Sequence, residues 1–264
     1  MNLDVLISTM NISSIKELSQ GYFWLQKHCI PIVLINQCTK VKPTLIVKKN
    51  NLLIISEKSI GLSKSRNLAI KNSQKEICHI SDDDIRYVKN FDIIIETAYS
   101  NNPKADIIVF QIKTQDDLKY KNYYPNKKWI GIMGVAKVSS VEITFKRRSI
   151  LSTKLKFDEK FGLGTDFPSG EEFIFLTDAI KKGLKILYIP KPIVIHTFES
   201  SGKNLNNRKL VEAKGAMFFR VFGIFGYLYL ILFSLKKHNQ SYFGLLNLMK
   251  YMINGIKKYR QSEK

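Results

Sequence analysis

The chain has 264 residues, 45% of them hydrophobic and 24% charged, which suits one α/β domain of ordinary size plus an appendage. Its 42 Lys and Arg against 22 Asp and Glu give a formal net charge of +20. The excess is mostly Lys, and few Arg are present for the planar contacts that base readout favours, so nucleic acid is not an expected partner. Scattered Lys suits an anionic membrane surface and anionic small substrates better.

Cys29, Cys38 and Cys78 form no CxxC pair and leave one over in any disulfide scheme, which fits a reducing cytoplasm. Met1-Asn2-Leu3-Asp4 is not a basic region leading into an apolar run, so no signal peptide is expected. Residues 3–8 form an apolar strand that ends in Ser8-Thr9-Met10-Asn11, and residues 12–28 have helical spacing at Ile12, Ile15, Leu18, Tyr22 and Leu25. A second strand, Pro31 to Ile35, closes on Asn36-Gln37. Thr44–Val47 and Leu52–Ile55 are short β-branched segments, and 62–74 reads as a helix. Ile77 to Ser81 is a fourth strand running into Asp82-Asp83-Asp84, followed by helical spacing at 89–100 and a strand at 107–110.

Short apolar strands alternating with helices predict a mostly parallel sheet buried on both faces, of the Rossmann-like kind. Ligands bind such sheets beyond the carboxyl ends of the strands, where the polar clusters at 8–11, 36–37 and 82–84 would gather. The stretch 114–145 is polar and aromatic and yields no pattern until Val141–Phe145. A Gly-rich turn at 162–170 leads into a helix at 171–182. A strand at 185–189 is then separated by Pro190 and Pro192 from Ile193–His196. From about residue 204 the character changes, giving a predicted catalytic domain over 1–204 and a basic helical extension over 205–264. In 215–235 the uncharged stretch after Arg220 falls short of the roughly 20 residues a spanning helix needs. Residues 241–260 are amphipathic and Lys-rich. These helices are expected to lie on an anionic membrane surface; packing on the domain or forming a homodimer are the alternatives.

Carboxylates at i and i+2 just past a strand offer hard oxygen ligands to Mg²⁺ or Mn²⁺, which bridge to diphosphates. Alone, the Asp triplet also reads as a solvated acidic turn. Upstream, Gly61-Leu62-Ser63-Lys64-Ser65-Arg66-Asn67 opens a helix whose N-terminus favours anions, with Lys64 and Arg66 as cationic contacts to a diphosphate; Ser63 reads equally as a cap.

In order, these motifs resemble those of glycosyltransferase family two and its GT-A relatives over roughly residues 3–200. The match comprises a first strand ending in Ser8-Thr9, the Gly61–Asn67 segment, and the Asp-rich turn at 82–84. It continues with Phe157-Asp158-Glu159-Lys160-Phe161-Gly162-Leu163-Gly164 before Ser169-Gly170-Glu171-Glu172, and closes on His196. The resemblance implies an inverting, metal-dependent transferase that moves a sugar from a nucleotide-diphosphate donor to a hydroxyl of a saccharide or lipid-linked acceptor. Bacterial surface polysaccharide synthesis at the inner face of the cell membrane is the implied setting. By the same resemblance, Ser8, Thr9, Asn36 and Gln37 face the nucleoside. Asp84 is the direct metal ligand, Asp82 lies toward the ribose and metal, and Asp83 shares either role. His196 reaches the metal or diphosphate. The family's Glu-Asp is Glu171-Glu172 here, with Glu172 the expected general base and Glu171 the other candidate. A sugar-phosphate nucleotidyltransferase would need a Gly-rich basic loop after the first strand, which Ser8–Asn11 is not. A non-enzymatic membrane adaptor would leave both acidic motifs idle.

Overall fold

The computed structural model describes residues 2–14, 17, 20–39, 46–49, 51–116, 120–196 and 204–263. The chain begins with β1 (Leu3–Met10), α1 (Gln20–Lys27), β2 (Ile32–Gln37), β3 (Ile46–Lys49), β4 (Leu52–Glu57) and α2 (Leu62–Asn72). It continues through β5 (Ile77–Asp82), β6 (Arg86–Tyr87), α3 (Phe91–Ser100), β7 (Ile107–Lys113), β8 (Lys128–Trp129), α4 (Ile132–Val135) and β9 (Ile143–Lys146). After α5 (Arg147–Ser152), α6 (Glu171–Lys181) and β10 (Ile186–Ile195) come the helices of the extension, α7 (Arg208–Phe222), α8 (Gly226–Lys237) and α9 (Gly244–Ser262). The expected helix at 12–28 is seen as α1; its Ile15 and Leu18, like Thr44 and Leu45 of the third expected strand, lie outside the described residues.

Among the described residues one sheet runs in the order β3-β4-β2-β1-β5-β9-β7-β10-β6, with β8 also on β10. Its centre is parallel, as expected: β1 pairs with β2 and β5, β2 with β4, and β7 with β10. β9 is the exception, running antiparallel between β5 and β7. Pro190 and Pro192 do not divide the last strand, because β10 pairs with β7 on both sides of them. Lacking N–H groups, the prolines are absorbed by register shifts between Tyr188 and Pro192 and between Pro192 and Val194.

Alternation along the strands fills two cores. Leu6, Val33, Ile35 and Ile80 face one side with Phe145, Phe157 and Phe175, whereas Val5, Ile7 and Leu34 face Phe91, Ile95 and Phe110 on the other. The first core does not stop at residue 204: Ala213, Ala216 and Val221 of α7 and Tyr259 of α9 belong to it. Arg220 strengthens this attachment. Its guanidinium donates to Asp158 at 2.8 Å and to both carboxylate oxygens of Asp178, at 2.7 and 3.2 Å.

α7 and α9 cross in backbone contact. A Cβ on Gly215 would lie 2.0 Å from the Met252 carbonyl oxygen, and one on Gly255 only 1.9 Å from that of Glu212. Neither neighbour is a flexible side-chain end, so the helices would have to separate. Gly255→Ala is therefore expected to cost about 3 kcal/mol or more in chemical denaturation. An unchanged midpoint would show that this crossing is looser than described.

Candidate active site

The site forms where β1, β2 and β5 end together. Their register places Thr9 beside Asn36, Met10 beside Gln37 and Ser8 beside Asp82, so the polar clusters meet at one sheet edge. Asp82 is the last residue of β5, and Asp83 and Asp84 form the turn that follows. Glu171 and Glu172 arrive from elsewhere in the chain, in the first turn of α6. The segment between α5 and α6 braces them: Ser63 Oγ donates to the Phe161 carbonyl at 2.6 Å, and Leu62 N–H to Leu163 at 2.9 Å. Ser63 is thus a cross-brace between α2 and this segment, and the N-cap position of α2 is held by Gly61.

Arg66 joins the two acidic groups. Its side chain is 2% exposed, and Nη2 lies 3.3 Å from Asp82 Oδ1. Nη1 divides between Glu171 Oε1 at 3.4 Å and Glu172 Oε1 at 3.3 Å, while the guanidinium carbon lies 5.5 Å from the centre of the Phe157 ring. Burial opposes the charge on Arg66, but Glu172, Asp82 and Glu171 outweigh it and keep the guanidinium protonated. One cation does not satisfy three carboxylates. Burial, followed by the charge of Glu172, pushes Glu171 up to about 8, so it carries a proton near neutrality. The Glu172 side chain is 21% exposed against 6% for Glu171, making Glu172 the member of the pair that an incoming group can reach.

The turn carboxylates divide in the same way. Both oxygens of Asp82 are engaged, one by Arg66 and one by the Ser140 hydroxyl at 3.1 Å. Asp83 accepts from the Thr9 hydroxyl at 2.5 Å and is raised, mainly by burial. Asp84 is 66% exposed, with His196 Nε2 3.5 Å away, and the hydrogen bond to His196 is the main cause of its lowered pKa. Among the described residues no group of three or more His, Cys, Asp or Glu side chains could hold a metal unaided. Asp84 and His196, side by side, are the residues that could contribute ligands to a divalent cation, the carboxylate oxygen suiting Mn²⁺ or Mg²⁺.

The other expected residues are placed as follows. Ser8 accepts a hydrogen bond from Ser65 at 2.9 Å. Asn36 bonds both the N–H and the carbonyl of Ile12, and Gln37 accepts from Gly61 N–H at 2.8 Å. Buried, these two amides hold loops around the site. Lys64 lies 3.7 Å from Glu57 and is half-exposed, whereas Arg66 faces carboxylates within the fold.

The chain resembles solved structures in its fold. TarS of S. aureus, residues 1–349 with UDP, superposes with a TM-score of 0.60 at 16% identity over 92% of this chain and 73% of that one. The same protein with UDP-GlcNAc gives 0.61 at 14% identity, covering 99% of this chain and 92% of that one. The fold is GT-A-like. No family model and no curated protein matches the chain.

Two participants escaped the sequence. Ser140 lies in the unpatterned stretch, and its bond to Asp82 depends on a distant loop returning to the sheet edge. Lys214, at the edge of the apolar run, comes from α7. Its ammonium lies 5.9 Å from the centre of the Phe233 ring. Three residues on, the Met217 side chain covers Gly170, just ahead of Glu171: a Cβ there would be 2.8 Å from the methionine sulfur. Burial lowers the pKa of Lys214, against the pull of Glu172 and Glu171. No local pattern marks a lysine as belonging to an acid pair forty-odd residues earlier; only the packing of α7 on α6 does so.

The state of Glu171 sets a pH dependence. Its folded value, about 8, exceeds the ordinary 4.5, so between these values the folded chain holds a proton that the unfolded chain releases. This contribution to stability is present at acid pH and is lost as pH rises through that window. Thermal melts from pH 5 to 8.5 should show a steeper fall for the wild type than for Glu171→Gln, whose amide imitates the protonated acid. Parallel curves would place the proton elsewhere.

Proposed function

We propose that the chain is an inverting glycosyltransferase that moves a sugar from a nucleotide-diphosphate donor to a hydroxyl of a saccharide or lipid-linked acceptor. The reading rests above all on the buried Arg66, which gathers Asp82, Glu171 and Glu172 at the sheet edge of a chain folded like TarS. Because TarS is seen with UDP and UDP-GlcNAc, a uridine diphosphate sugar is the donor class to test first.

In this reading Asp84 and His196 would hold Mn²⁺ or Mg²⁺, and a cation there would supply positive charge against the diphosphate. An anionic diphosphate beside Asp82, Asp83 and Asp84 calls for such a cation on electrostatic grounds alone. Asp82, fixed by Arg66 and Ser140, sets the turn, and Thr9 fixes Asp83. Glu172 takes the proton of the acceptor hydroxyl as its oxygen bonds to the anomeric carbon and the bond from that carbon to the diphosphate oxygen breaks. Attack from the face opposite the leaving group inverts the anomeric centre. Glu171 keeps its proton and so does not compete as base, while Arg66 holds the pair in place. The nucleoside lies over Ser8, Thr9, Asn36 and Gln37, whose bonds to Ser65, Asp83, Ile12 and Gly61 shape the floor. The setting is bacterial surface polysaccharide synthesis in the cytoplasm.

Two variants test the roles. Asp84→Ala should melt like the wild type yet lose the Mn²⁺-dependent thermal shift with UDP; wild-type binding would remove the metal assignment. Glu172→Gln should bind donor normally and lose about two orders of magnitude or more in kcat, with Glu171→Gln much less affected. The reverse order would exchange the two glutamates.

A further inference from the structure

The outer side of α8 is apolar where a soluble helix would be polar. Ile224, Phe225, Leu228, Ile231, Leu232 and Leu235 are 40–71% exposed. Their spacing of three and four residues makes one continuous stripe along the helix. No charged side chain interrupts it before Lys236 and Lys237. The inner side is occupied by the buried Gly226, Leu230 and Ser234, which pack within the extension.

By length and composition alone, the helical run Arg208–Gln240 is long and apolar enough to cross a membrane. It is not one rod. Gly223, at a φ of 58°, ends α7, and α8 folds back along it. The Phe218 and Phe233 rings lie 5.7 Å apart, and those of Phe222 and Tyr229 are stacked at 3.9 Å. On an unbroken helix the first pair would be separated by roughly 20 Å. α7 is moreover committed to the catalytic core through Ala213, Ala216 and Val221, and Arg220 is paired with Asp158 and Asp178. A span would have to pull these contacts apart.

We infer that the α8 stripe is an interfacial membrane-docking surface, lying in the plane of an anionic bilayer with its leucines and isoleucines among the acyl chains. Charge selects the occupant. A second copy of a chain carrying +20 would be repelled, whereas anionic headgroups are attracted to it, and Lys236 and Lys237 stand at the end of the stripe to meet them. Exposed aliphatic side chains backed by a basic molecule form the pattern of a helix that lies on a membrane without crossing it. The inner face of the same helix carries Phe233, whose ring centre lies 5.9 Å from the Lys214 ammonium of α7. The inference does not depend on the transferase reading, because it concerns binding alone.

Flotation of the full chain with phosphatidylcholine vesicles, with and without phosphatidylglycerol, tests it. The wild type should float with the anionic vesicles and be released only in part by high salt, since apolar insertion is unscreened. Leu232→Glu/Leu235→Glu should lower partitioning at least about tenfold, because two apolar side chains that would insert among the acyl chains are replaced by charges of the wrong sign. Both positions are exposed, so melting should be unchanged, and the same exchange at exposed Ile93 on α3 should leave flotation intact. The proposal is overturned if the wild type does not float, or if the double variant floats equally well. A double variant that only converts a dimer to a monomer would make the stripe a homodimer seam. Resistance of membrane-bound wild type to alkaline extraction would mean that it spans.

Discussion

A single guanidinium buried among three carboxylates organises this molecule. Arg66 comes from α2, Asp82 from the end of β5, and Glu171 and Glu172 from the start of α6, so the contact joins three elements that are remote in sequence. The braces around it serve the same geometry. Gln37 fixes Gly61 at the head of α2, Ser63 ties α2 to the segment before α6, and Ser140 holds the second oxygen of Asp82. Loss of any brace would be felt at the acid pair through Arg66, although none of these groups need touch a substrate.

The extension is coupled to the same cluster. One cation and three carboxylates leave negative charge in excess, which the proton on Glu171 and the ammonium of Lys214 reduce. Lys214 belongs to α7, a helix that shares the core of the sheet domain and whose partner α8 carries the apolar outer stripe. The charge cluster at the centre and the apolar stripe at the surface are thereby joined by one helical hairpin.

Much of this was legible in the sequence, for identifiable reasons. Strands buried on both faces appear as apolar runs, so β1, β2, β5 and β7 and the polar residues at their ends could be read directly. The acid motifs at 82–84 and 171–172 could be read because their order along the chain resembles a known family. The antiparallel insertion of β9 could not, since a four-residue strand carries no sign of its direction. Pro190 and Pro192 were misleading for a physical reason: proline removes a ladder bond, but a register shift restores pairing beyond it. Arg66 was misleading too. Beside a helix N-terminus an arginine reads as a phosphate contact, and nothing local reveals that its partners are carboxylates within the fold.

The energetics of the cluster say what it is for. Moving a guanidinium out of water is costly, and the attraction of paired charges repays this only when geometry is close and every proton finds a partner. Here the contacts are 3.3–3.4 Å, one nitrogen serves two glutamates, and Nε has no partner among the described residues. Apolar side chains of the same volume would stabilise this region at least as well. What they could not do is hold two adjacent carboxylates side by side, one buried and one within reach of solvent. Burial and the charge of Glu172 favour a proton on Glu171, and Arg66 opposes that shift. Under the proposed function, the cluster gives up stability to set Glu171 and Glu172 in unequal surroundings, as a site that accepts one proton at one position would require.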